Sequence, residues 1–145
     1  MDASIDVSGH PGAWYAAFFE GGERYWWFPL CKPGFRHVMA FGYCVHAGCW
    51  LIHDVSLGRT YVRALRPEAF DAWLAALPSH RTILRVPGPA HEAPCPNPGF
   101  RLGFWCVPAT AHLLGVPSRA LRPEGLYRDL IAYGATPAFE PERSE

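Results

Sequence analysis

Cys106 lies in the stretch FWCVPATAHLLGVP (104–117), where an apolar, strand-like run meets a short helical one. A thiol attacks as its thiolate, and a helix N-terminus stabilises that anion through the macrodipole and its unbonded N–H groups. The helical pattern starts beside Cys106, because Pro108 is tolerated only in a first turn and Gly115 is a good C-terminal cap. A nucleophile of this kind needs a histidine to take its proton and a third polar group to orient that histidine.

Seven histidines compete for the role. His37 opens a predicted strand over 36–44, and its side chain shares a face with Met39 and Phe41 under the period-two rule. A second predicted strand, 49–57, carries Trp50, Ile52 and Asp54 on one face. A hairpin turning at HAG (46–48) would set residues whose numbers add to about 93 or 94 opposite one another. That register puts His37 beside positions 54 to 57, within reach of the Asp54 carboxylate across the ladder. No other histidine has so direct a carboxylate neighbour, so the candidate catalytic residues are Cys106, His37 and Asp54.

Each of the three also has a plain structural reading. Free cysteine is commonly a small buried hydrophobe, a sheet histidine can simply hydrogen-bond, and Asp54 could cap the turn before Gly58 and Arg59. Cys44, His46, Cys49 and His53 have the residue types of a zinc site. However, they lack a tight Cys-x-x-Cys knuckle with a distant second pair, so no metal or other cofactor is expected. His112 follows Cys106 by six residues on the helix and points away from it, towards the surface, as His80 and His91 do in their loops. The YWWF run (25–28) reads as core before it reads as a ligand wall, since most of six tryptophans must be buried. Arg36 is expected to face solvent.

These residues need a frame. Residues 12 to 20 are aromatic and fit either a short helix or a strand. Strands are predicted over 36–44, 49–57 and 60–65, forming an antiparallel meander, with a fourth over 81–87. A helix over 66–78 starts at Pro67 and Glu68 and carries Phe70, Trp73, Leu74 and Leu77 as its apolar stripe. Residues 87 to 99 form a proline-rich loop and 100–105 a short strand-like entry to Cys106. Finally, a helix over 122–134 repeats the Pro-Glu start and ends on Gly134. The class is α+β: a small, mostly antiparallel sheet of four or five strands with two or three helices.

Composition narrows the function classes. The chain has 145 residues, 50% of them hydrophobic and 14% aromatic, which excludes a disordered protein. This length fits one domain, read as an N-terminal extension (1–25), a core (26–134) and a polar tail (135–145). The formal net charge is zero and no basic stripe is visible, so nucleic acid is not an expected partner. No apolar run is long enough to span a bilayer. The opening MDASIDVSGH does not have the form of a secretory signal, and five cysteines without a framework read as free thiols.

The His strand, the acidic partner strand and the later helix-opening Cys together resemble the circularly permuted papain-like fold. That group includes bacterial cell-wall amidases and relatives of lecithin:retinol acyltransferase, in which His precedes Cys. More narrowly, PGFRHVMAF (33–41), WLIHDVSLGRTYV (50–62) and CVPATAHLLGVPSRALRPEGLYRDLI (106–131) are similar to small uncharacterised phage and prophage proteins. The resemblance covers roughly residues 26 to 131 and implies a cysteine peptidase or amidase with Cys106 as nucleophile, His37 as base and Asp54 as orienter. A peptide or amide substrate would be its partner, in the host cytoplasm or the phage particle. The alternative is a non-catalytic virion or assembly protein. It would meet other phage structural proteins through the 87–99 loop and the aromatic N-terminal third.

Overall fold

A computed structural model describes residues 11–21, 26–56, 59–87 and 105–139 of the chain. Six strands form one antiparallel sheet: β1 (Trp14–Phe19), β2 (His37–Cys44), β3 (Cys49–Ser56), β4 (Arg59–Leu65), β5 (Thr82–Val86) and β6 (Thr136–Pro137). Their order across the sheet is β4-β3-β2-β1-β5-β6. Among the described residues, three α-helices accompany the sheet: α1 (Pro67–Ala76), α2 (Cys106–Leu114) and α3 (Pro123–Tyr133). The class is α+β, with one or two strands more than the pattern of the sequence suggests. The 87–99 loop, beyond Pro87, and the 100–104 entry segment lie outside the described residues.

The extra strands come from segments whose sequence carries little period. Residues 14–19, assigned by sequence to an N-terminal extension, form a central strand paired with both β2 and β5. Ala16, Ala17 and Phe18 are fully buried there. A strand covered on both faces loses the alternation that would announce it. β6 is two residues long, too short to show any pattern.

The sheet divides two apolar layers. On one face, Ala16, Phe18, Val38, Ala40, Leu84 and Val86 pack with Val107, Leu114, Leu126 and Leu130 of α2 and α3. On the other, Ala17, Phe19, Met39, Phe41, Ile52 and Ile83 pack with Phe70 of α1. The second layer is largely aromatic: Trp50 stacks on Phe70 with centroids 3.8 Å apart, and Phe70 lies 5.4 Å from Phe41. Both α1 and α3 begin with proline at the first helical position, where its missing N–H costs nothing. Gly115 and Gly134 end α2 and α3 in the left-handed conformation, which glycine adopts without penalty. Among the described residues, no helix is long and apolar enough to cross a membrane.

The β2–β3 hairpin fixes the site. Ala40 faces His53 and Cys44 faces Cys49, the register expected from the turn position. Gly48 adopts a left-handed φ of 62° in the connecting turn. Pairing of β2 with β3 begins only at Ala40, so His37 extends beyond the ladder while still pairing with Phe19 of β1.

Candidate active site

His37 is the first residue of β2 and therefore lies at the end of the sheet, where groups from both faces meet. On the α1 side its ring stands 5.3 Å from the ring of Phe19, edge to face. From the opposite layer comes Cys106, the first residue of α2. Asp54, on the neighbouring strand, receives a 2.7 Å hydrogen bond on Oδ1 from His37 Nε2. His37 also shares a hydrogen bond with Cys106, so the three residues picked from the sequence meet, with His37 in the middle. Asp54 occupies Nε2, which leaves Nδ1 as the ring atom able to serve the sulfur.

The electrostatics of the group favour an imidazolium. The His37 side chain is only 16% exposed, and burial by itself pushes a histidine towards its neutral form. That effect is outweighed by hydrogen bonds to Asp54 and Cys106 and by the negative charge of both groups. The net result raises His37 from 6.5 to about 10.

Upstream residues hold His37 in place. The Glu20 carboxylate accepts hydrogen bonds from the Gly34 N–H and from Arg36 Nη1, the latter at 3.0 Å. Gly34 has a φ of 81° and turns the chain after Pro33. The Arg36 N–H donates to the Phe19 carbonyl at 3.2 Å, just before β2 begins. Arg36, assigned by sequence to solvent, is instead ion-paired and helps to wall a cavity.

That cavity, of about 330 Å³, opens beside Cys106. Trp26, Trp27 and Trp105 contribute aromatic walls, and Cys31 and Leu121 contribute further apolar surface. The Cys31 thiol is raised by burial, then by Glu124 and Cys106, against the opposing pull of Arg122 and Arg36. It is therefore held as a neutral thiol, beside a sulfur that has the histidine. The Trp105 indole N–H donates to the Leu121 carbonyl at 3.1 Å, tying the entry of α2 to the segment before α3. Sequence reading missed Cys31, Leu121, Arg122 and Glu124 as neighbours of the site. Only the YWWF run gave any hint of the cavity, as an aromatic wall.

The start of α2 adds backbone donors to the site. The first N–H groups of a helix have no partner within it. Pro108 carries no N–H at all, so the donors beside the sulfur are those of Cys106 and Val107. His112 and His80 are exposed, as expected, and His91 lies outside the described residues. Cys44 and Cys49 are cross-strand neighbours, and among the described residues no three His, Cys, Asp or Glu groups are arranged to hold a metal ion. Compared with known proteins, the chain matches no family model, no curated protein and no solved structure.

Proposed function

We propose that the protein is a cysteine hydrolase, a peptidase or amidase, acting through Cys106, His37 and Asp54. The observation that carries this reading is the His37 ring. It is nearly buried, bonded to Asp54 through Nε2 and held cationic beside the Cys106 sulfur.

In the reaction, the Cys106 thiolate attacks the substrate carbonyl carbon while the backbone N–H of Cys106 stabilises the oxyanion. Collapse of the tetrahedral intermediate expels the amine, which takes the Nδ1 proton of the imidazolium. Neutral His37 then removes a proton from water as the hydroxide attacks the thioester. The carboxylic acid leaves, and the thiolate–imidazolium pair is restored. Asp54 holds the ring orientation through both steps and stabilises its charge.

The test is the rate at which iodoacetamide alkylates Cys106, followed by peptide mapping from pH 5 to 9, in the parent and in His37→Ala. Fast labelling at neutral pH that drops about tenfold or more without the imidazole supports the hydrolase. Slow labelling, identical in the two proteins, refutes it. That second result would favour a non-catalytic phage assembly module. The exposed Trp26, Leu30 and Leu121 at the cavity mouth, 82%, 61% and 63% accessible, fit such a role.

A further inference from the structure

The cavity beside the sulfur has the chemistry of a specificity pocket, and its walls say what it selects. Trp26 and Trp27 meet edge to face at 5.7 Å, and Trp105 is anchored by its bond to Leu121. These indoles offer flat, preset surfaces against which another ring can pack. The two arginines at the cavity do not make it a carboxylate trap. Arg36 is paired with Glu20 at 3.0 Å. Arg122 is paired with Glu124 at 3.3 Å and also donates from Nη1 to the Leu30 carbonyl at 2.9 Å. Each cation already has its anion, so an acidic group entering the cavity would lose water and gain no unpaired charge.

We infer that this cavity holds a bulky, uncharged apolar side chain, aromatic by preference, on the acyl side of the scissile amide. The inference rests on the hydrolase reading and adds the substrate class to it. Cys106 forms part of the cavity wall. The group nearest that wall is therefore the one attached to the carbonyl carbon that bonds to sulfur. The acyl group stays on Cys106 through deacylation, whereas the amine departs after the first step. A wall that Cys106 helps to form, taking the acyl portion, therefore acts on both transition states. Cys31, kept neutral, lines the cavity without competing as a nucleophile.

The reagents that test this are N-acetyl-aminoacyl chloromethyl ketones with phenylalanine, alanine or aspartate side chains. They place a chosen side chain on the acyl side and alkylate the active thiol without any turnover. The expected result is alkylation of Cys106 about a hundredfold faster by the phenylalanine reagent than by the alanine one, with aspartate slowest. Leu121→Trp, a change at an exposed position in the cavity mouth, should abolish that preference by filling the space the phenylalanine ring would take. Trp26→Ala, at a position that is 82% exposed and outside the core, should reduce the phenylalanine rate by a larger factor than the alanine rate. Equal rates for the three reagents, with His37-dependent iodoacetamide labelling intact, would overturn the pocket assignment and leave the hydrolase standing. Loss of the His37 dependence would overturn both.

Discussion

Asp54→Asn removes a charge from the site while keeping its shape. The rise of His37 from 6.5 to about 10 corresponds to roughly 5 kcal/mol of preference for the imidazolium in the folded protein. The folded-state value lies above the unfolded one. The stabilisation is therefore present in full below about pH 6.5 and is lost as the pH climbs through about 10. In that window the parent should lose up to about 1.4 kcal/mol of unfolding free energy per pH unit. Asn retains an acceptor but not the charge, and hydrogen bonds to charged groups contribute about 1.5–3 kcal/mol. The variant should therefore be about 2 kcal/mol less stable at pH 7, with the difference vanishing above pH 10. Urea unfolding at half-unit steps from pH 6 to 10.5 measures the difference, and NMR of the His37 ring follows the titration directly. A His37 that titrates near 6.5 in the parent, or a stability difference that stays constant across the range, would show that Asp54 does not stabilise the imidazolium.

Three further outcomes follow from the same structure. On the proposed hydrolase reading, kcat/KM for a phenylalanyl amide should fall on the alkaline side as the pH rises past about 10, where His37 would lose the proton for the leaving amine; an alkaline limb near pH 7 would contradict this. Phe70→Ala should cost about 3–5 kcal/mol by urea unfolding, since the ring is 2% exposed and stacked on Trp50. Gly42→Ala should cost about 1–3 kcal/mol in the same measurement. A Cβ at that position would come within 2.6 Å of Pro11 Cβ and 2.8 Å of the Ala13 carbonyl oxygen.

How far the sequence reaches depends on the range of the interactions that set each feature. The β2–β3 register was legible because a short turn and a period-two pattern bind neighbouring segments, and this brought His37 to Asp54. The starts of α1 and α3 were legible in Pro67 and Pro123, and the ends of α2 and α3 in Gly115 and Gly134. These are local conformational preferences that operate within a few residues. β1 was not legible, because a strand buried on both faces has no polar side to mark its period.

Cys106 marked itself as a helix-opening thiol, yet its meeting with His37 depends on how α2 packs across the sheet. The cavity was the least legible feature. Its walls come from residues 26–36, from the start of α2 and from 121–123. No periodicity links these segments, and the YWWF run and Arg36 were readable by themselves as core and solvent. Residue types and short spacings determined by themselves which groups could do chemistry and which two strands would pair. Tertiary packing decided that the thiol meets the imidazole and that Arg36 and Arg122 are neutralised beside it. Those contacts join segments far apart in the chain, and their energy exists only once the sheet has brought the segments together.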